Sequence, residues 1–487
     1  MTTVYTNSLH TPLFAPEQQI AIGAGFHNVG SGVLRASNEV MMKKVELHYG
    51  ERCGHLPLNA QQLRVIVNEH TADIHTQMHY LSSLFSKAVR AVTIDELRTE
   101  IQGVSDSSVL VVPYVNVPET AAYIWDELNV ETWGLPATMT HVLKNKATFY
   151  QLVDELGLVN FRTPDYAISH LDDIAADGLR FLAAIEDIYK TVGMQQYPPG
   201  LMLRAAESDG NYGCCLLYEQ DGQITLIPDG DPTYTQYYSH WSDALLIAQQ
   251  SLSATMNPQR ETRVVMSRYI DAIDSPGMSV VIQDNQVMSL GWNSQLQKNG
   301  SKACIGTSTY IARNAVTQRL QQQHQQETAS YFEILLRKTA EKCAISFDAI
   351  RGLANLDILI PSEMERELQK RRKQPLENYL AECNPRWTNY TDAIMAVLGV
   401  NHREQTVYTM RSTIEQGIAT IDKYPLPPGV DPREVRSRIS ERDALLQHYG
   451  TRIICRMTKN PLGVIFAGDI KQAEQELDAI VTTLAKR

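Results

Sequence analysis

Apolar runs of strand length alternate along this chain with amphipathic stretches and turns marked by glycine or proline, the pattern of a mixed α/β protein. The segment QIAIGAGFHNVGSG predicts a strand running into a glycine-rich turn with Gly23, Gly25, Gly30 and Gly32. NEHTADIHTQMHYLSSLF predicts an amphipathic helix, SSVLVVPYVNV a strand approaching a ligand-facing loop, and VPETAAYIWDELNV a helix opening on Pro118 and Glu119. LKNKATFYQLVDELG reads as a helix closed by Gly157, with Lys144 and Lys146 near its start, and DDIAADGLRFLAAIEDIYKTVG as a further helical stretch. GLMLRAA is a strand, and CCLLYEQDGQITLI is two strands joined by an Asp221-Gly222 turn. TRVVMSRYIDAIDSPGMSVVIQDNQVMSLGWNSQLQ gives a second antiparallel set. A long helix follows, whose glutamine-rich residues 321–326 fit either an exposed turn of helix or a mobile connection. SFDAIRGLANLDILIP then ends in a strand holding Asp357. The charged segment SEMERELQKRRKQPLEN reads as a solvent-side insertion, with the run Lys370-Arg371-Arg372-Lys373 on the surface. Beyond residue 400 come helical stretches, the turn KYPLPPGVDP, the strands of RIICRMTKNPLGVIFAGD and a final helix.

At 487 residues the chain has room for roughly three domains. The expected division is an α/β domain over 1–135, a catalytic region over 136–400 with lobes 136–265 and 266–400, and a small α+β piece over 401–487. For that last piece the sequence leaves packing, homodimerisation and closure of a substrate pocket open. A net charge of -11 argues against nonspecific binding to nucleic acid or an acidic membrane. No apolar run reaches spanning length, and MTTVYTNSLHTPLF lacks the parts of a secretion signal. Seven cysteines without CxxC spacing suit reduced thiols in the cytoplasm.

Some patterns that suggest chemistry have plainer readings. The early glycines depart from G-x-G-x-x-G, so they argue weakly for a nicotinamide cofactor and equally for a tight turn. His75 and His79 share a helix face, yet no glutamate completes a zinc-protease arrangement, and with His70 they read as solvated. Tyr379 to Thr391, YLAECNPRWTNYT, is different. Alternation places Glu382, Asn384 and Arg386 on one face of an extended segment. A carboxylate, an amide oxygen and a guanidinium together suit magnesium and phosphate.

With these residues in view, the segment order over about 136–400 resembles the ATP-grasp superfamily, and residues 1–135 resemble the α/β (Rossmann-like) domain that precedes it. The resemblance implies an ATP-grasp fold, mixed α/β and α+β, with ATP and Mg2+ as cofactors. LKNKATF places Lys146 at the α- and β-phosphates. MLRAAESDGNYG places Arg204 where the family usually has lysine, which is no neutral exchange, since a guanidinium demands planar, forked geometry. The loop from Glu207 to Gly213, with Gly210 and Gly213, would fold over the triphosphate and offer backbone N–H groups. MSRYID supplies an adenine hinge at Arg268, Tyr269 and Ile270 but lacks the family's leading acid, leaving Asp271 or Asp274 for the ribose. RGLANLDILI supplies Asp357 and AECNPRWTN supplies Glu382 and Asn384 as metal ligands, with Arg386 stabilising the transferring phosphoryl group. Asn293, Gln297 and Arg313 are available for substrate selection.

The chemistry so implied is ATP-dependent carboxylate–amine ligation. The γ-phosphoryl group activates a carboxylate as an acyl phosphate, and an amine displaces phosphate to give an amide. The narrower resemblance is to peptide ligases of natural-product biosynthesis, with small-molecule or peptide carboxylate and amine substrates. Two alternatives remain open: the same scaffold with bicarbonate or a thiol, and a nucleotide-binding regulatory protein without catalysis. The absence of a long C-terminal domain after the E-x-N-P-R strand counts against a biotin carboxylase.

Overall fold

The computed structural model describes residues 20–28, 60–157, 160–208, 213–256, 261–297, 304–309, 315–401, 407–457 and 462–486. Strands β1 (Ile22–Phe26), β2 (Gln62–Ile66), β3 (Val89–Val92) and β4 (Val109–Pro113) are all parallel and stand in the order β3-β2-β1-β4. Their near-continuous apolar runs fit a parallel sheet covered on both faces. The order reverses between β1 and β4, the kind of switch point past whose strand ends lies the crevice where ligands bind in open α/β sheets. Gly23 and Gly25 lie inside β1, paired with Leu63 and Val65, and so form no phosphate-cradling turn. Gly30 and Gly32 lie outside the described residues. The helix Ala72–Phe85 buries Ile74, Met78, Leu81 and Phe85 and leaves His75 and His79 exposed, as its amphipathic pattern requires.

A short strand β5 (Phe161–Arg162) precedes an antiparallel sheet. That sheet holds β6 (Tyr166–His170), β7 (Gly200–Ala205), β8 (Cys214–Gln220), β9 (Gln223–Pro228), β10 (Gln236–Tyr238) and β11 (Arg263–Arg268), in the order β10-β9-β8-β7-β11-β6. Asp221 and Gly222 both take positive φ, 53° and 75°, the twist a two-residue hairpin needs.

The central sheet contains β12 (Ala272–Asp274), β13 (Pro276–Gln283), β14 (Gln286–Gln297), β15 (Cys304–Thr309), β16 (Gly352–Pro361), β17 (Asn378–Asn384), β18 (Ile418–Tyr424), β19 (Arg452–Met457) and β20 (Leu462–Ala467). Its order is β19-β20-β18-β15-β14-β13-β16-β17-β5, with β12 beside β16. Alternation sorts its residues. Ala354, Leu356 and Ile358 join Phe149, Phe332 and Leu336 in one core, while Leu353 and Val281 face the helix Asn389–Val400 and the N-terminal sheet in another. The C-terminal strands β18 to β20 therefore extend the central sheet edge to edge, and Ile418, Ile454 and Ile465 share a core with Leu63 and Val65 of β2. No helix among the described residues is long and apolar enough to cross a membrane.

The segment after Asp357 corrects the sequence reading. It is no solvent-side insertion: the helix Glu363–Arg371, capped by Ser362, buries Glu365, Leu368 and Gln369. Arg268 at the end of β11 meets Glu365 through two bonds, 2.7 and 2.5 Å, and both side chains are sealed from solvent. Arg268 Nε also donates to Asp165 (3.0 Å), and Arg372, expected on the surface, makes a forked pair with the same carboxylate at 2.7 and 2.9 Å. This junction pins the β6–β11 sheet to the central sheet.

Burial acts to raise the Asp165 carboxyl, but the hydrogen bonds and charges of Arg372 and Arg268 outweigh it and hold it down to about 2. A depressed carboxyl adds stability above its unfolded value near 4 and loses it as pH falls through the folded value. Asp165→Asn is therefore expected to cost about 2 kcal/mol at neutral pH. The gap from the parent should narrow between about pH 4 and 2, read by urea unfolding across that range. A gap independent of pH would contradict this.

Candidate active site

Asn145 ends one helix and caps the next, Lys146–Leu156, its side chain accepting from Thr148 N and donating to Glu261 (2.8 Å). That fixes the first residue of the helix, Lys146, whose ammonium donates to Ser208 O (2.7 Å) and lies 3.2 Å from Glu382. Arg204, on β7, reaches across to β17, where Nη1 donates to Ala381 O (2.9 Å); Nη2 donates to the Tyr150 hydroxyl, and the cation lies 5.4 Å from that ring centroid. Burial works against the Arg204 charge, but Tyr150 and Glu382 outweigh it and raise its pKa. Much of its fork is thus spent on protein groups, so Arg204 ties β7 to β17 as well as lending its charge to the site.

Asp357 and Glu382 face each other in register across β16 and β17. Burial, then the Glu382 charge, pushes Asp357 up to about 7. Burial would raise Glu382 too, but the charges of Lys146 and Arg204 outweigh it and hold it below its usual range. Asn384 donates to Asp357 Oδ2 (3.0 Å) and lies 3.4 Å from Glu382 Oε1, while its own Oδ1 accepts from Arg386 (2.9 Å). Arg386 also donates to Trp387 O (3.3 Å) and lies 4.4 Å from the ring centroid of Tyr114, a favourable cation–π distance. Tyr114 directly follows β4, so the VPYVNV loop does approach the site, at the crevice where the parallel sheet reverses. Trp387 donates to Pro113 O (3.1 Å), which locks the two segments together.

Lys146, Arg204, Asp357, Glu382, Asn384 and Arg386 therefore form one cluster. Other expectations need correction. Arg268 N and Tyr269 N already donate to Asp165 O and Gly200 O, both at 2.8 Å, so of the three hinge residues only Ile270 keeps its N–H outside the sheet bonding. The Arg268 side chain is the buried junction cation. Gly213, at φ 70°, where only glycine is at ease, gives its N–H to Asp229 (2.9 Å) and not to the loop interior. Asp274 is buried and accepts from Ser275 N, which leaves Asp271 as the more accessible acid for a ribose. Asn293 is buried beneath Asp357. Gln297 ends β14, while Gly210 and Arg313 lie outside the described residues. Sequence reasoning missed Tyr150, Tyr114, Ser208 and Asn355. Of these, Tyr114 and Ser208 had a signal, each in a loop that the sequence marks as ligand-facing.

For a divalent cation, the test is the donor set. Two carboxylates in register on adjacent strands supply hard oxygens, which fits magnesium with phosphate oxygens and water completing the shell. Asn384 points its nitrogen at both carboxylates, so its oxygen would reach an ion only after the amide flips. No group of three or more His, Cys, Asp or Glu side chains able to hold a metal occurs among the described residues.

The fold itself is that of the ATP-grasp enzymes. The chain superposes on the ADP complex of an N5-carboxyaminoimidazole ribonucleotide synthetase over 95% of its own length and 97% of that chain, with a TM-score of 0.50 at 9% identity. It superposes on the beta-gamma-ATP complex of biotin carboxylase from Campylobacter jejuni over 95% and 91%, with a TM-score of 0.50 at 11% identity. The sequence argument against a biotin carboxylase, a missing C-terminal domain, does not survive that 91% coverage. No protein-family model matches the sequence, and no curated protein does.

Proposed function

We propose that this protein is an ATP- and Mg2+-dependent ligase that activates a carboxylate as an acyl phosphate and passes it to an amine. The observation that carries this reading is the single cluster of Lys146, Arg204 and Arg386 around Asp357 and Glu382, drawn from elements as far apart as β7 and β17. Its support lies in an ATP-grasp fold and in solved neighbours that are complexes with ADP and an ATP analogue.

In this reading Lys146 exchanges its Glu382 and Ser208 contacts for phosphate oxygens, and Ile270 N–H meets the adenine edge. A magnesium ion held by Asp357 and Glu382, with Asn384 once flipped, would neutralise charge on the phosphates. Arg386, propped on the Tyr114 ring at the crevice, stabilises charge on the transferring phosphoryl group and aligns the carboxylate. The crevice past β1 and β4 receives the small-molecule substrates. The residue divisions 1–135, 136–400 and 401–487 describe the nucleotide region and its flanking units in the same proposal.

A second reading takes bicarbonate as the carboxylate. It is favoured by the fit to a biotin carboxylase and a carboxyaminoimidazole ribonucleotide synthetase. The test is ADP release with ATP and Mg2+ against two panels, one of amino acids and short peptides, the other of bicarbonate with candidate amines. ADP and a new amide mass that require both a carboxylate and an amine support ligation. Release dependent on bicarbonate selects the second reading. Tight ATP binding without turnover across both panels would refute catalysis and leave a nucleotide-binding regulator.

A further inference from the structure

Behind Asp357, on the same face of the central sheet, runs a row of polar side chains three strands wide. Asn293 on β14, Ser279 on β13 and Asn355 on β16 are 4%, 0% and 4% exposed. The face continues beneath them as apolar core, through Val281 and Leu353. Polar groups at such positions persist only where they satisfy one another, and these do. Asn293 Nδ2 donates to Ser279 Oγ and to Asn355 Oδ1, each at 3.0 Å. Ser279 Oγ donates to Asn355 Oδ1 (3.0 Å), and Asn355 Nδ2 donates to Asp357 Oδ1 at 2.6 Å.

The row has a direction. Asn355 Oδ1 receives two donors, and turning that amide over would set its N–H against the Asn293 N–H and its oxygen against the Asp357 carboxylate, so its nitrogen faces Asp357. The neighbouring strand makes room for this. Gly277 pairs with Asn293 on one side and Asp357 on the other. A Cβ there would stand 2.7 Å from Asn293 Oδ1 and 2.8 Å from Asn355 Oδ1. Glycine is needed at this position for space, not for backbone freedom.

We propose that Asn293, Ser279 and Asn355 are positioning residues that, through the Asn355 amide, hold the Asp357 carboxylate in the orientation that meets the divalent ion of a metal–nucleotide complex, and that Gly277 is the space they require. One oxygen of Asp357 is thereby fixed from behind, and the other is left to Asn384 and an incoming ligand. The proposal rests on the ligase reading and deepens it.

The experiment is calorimetric titration of ADP into the full chain, once with Mg2+ and once with excess EDTA. The parent protein is expected to bind ADP more tightly with Mg2+. Asn355→Ala should leave the affinity in EDTA within about twofold and reduce the Mg2+ enhancement about tenfold, the usual size of an outer-shell effect. Ser279→Ala, which removes one donor from the row and leaves the amides in place, should give a smaller loss of the same kind, and it serves if Asn355→Ala does not fold. Gly277→Ala should resemble Asn355→Ala. An unchanged Mg2+ enhancement in folded variants overturns the proposal, because the row is then only satisfied core. Equal losses with and without Mg2+ overturn it as well, and so does a parent that binds ADP indifferently to Mg2+. A parent that binds no ADP under either condition defeats the ligase reading itself.

Discussion

Glu382→Gln is expected to lower ATP turnover by roughly 100- to 1,000-fold, the loss typical of removing one preorganised electrostatic group from a transition state, while the fold persists. The substitution keeps the shape of the side chain and takes away the charge that Asp357 faces in register and that Lys146 approaches at 3.2 Å. With that charge gone, Lys146 loses its carboxylate partner and keeps Ser208 O, while Asp357 loses the neighbour that, after burial, does most to raise it. ADP affinity in EDTA should therefore hold or rise while Mg2+-dependent turnover collapses. ADP release and a thermal melt, measured side by side, test this. Turnover within fivefold of the parent in a folded variant would remove Glu382 from the metal assignment, and with it the reason for placing phosphoryl transfer at this cluster.

The largest effect on stability is expected at the buried junction. Glu365→Gln leaves the guanidinium of Arg268 sealed from solvent with a neutral partner, and breaking such a pair costs about 3–5 kcal/mol. Asp165 and Tyr379 also contact Arg268, so part of the cation stays satisfied and the lower end of that range applies. Replacing both members, as in Arg268→Met with Glu365→Leu, should recover most of the loss, because two buried charges and their desolvation leave together. Urea unfolding of the two single variants and the double variant closes the cycle. Additive losses would mean that the two residues act separately.

These two residues also mark where reading the chain succeeds and where it stops. Glu382, Asn384 and Arg386 were legible because the three functional groups lie within five residues and strand alternation alone places them together. Asp357 was legible because its strand has a recognisable apolar frame. Glu365 was not: in the run SEMEREL it is one acid among several, and a helix of high charge density looks solvated until another element covers it. Its partner lies 97 residues away. The same distance hid the junction role of Arg372, whose carboxylate partner is 207 residues earlier. Arg204 was grouped with Glu382, and the structure does bring the two segments together, yet the spending of its donors on Ala381 O and Tyr150 could not be read from MLRAA.

By itself the sequence determined the succession of strands and helices, the two hairpin sets, and the charged and amide side chains that the structure gathers into one cluster. All of these depend on periodicity and on groups close together along the chain. Only the tertiary structure decided that β18 to β20 continue the central sheet, that Tyr114 lies beneath Arg386, and that the Asn293–Ser279–Asn355 row stands behind Asp357. Those facts depend on strand register and on which face meets which. Register is set by burial across whole sheets, so no local stretch of residues encodes it.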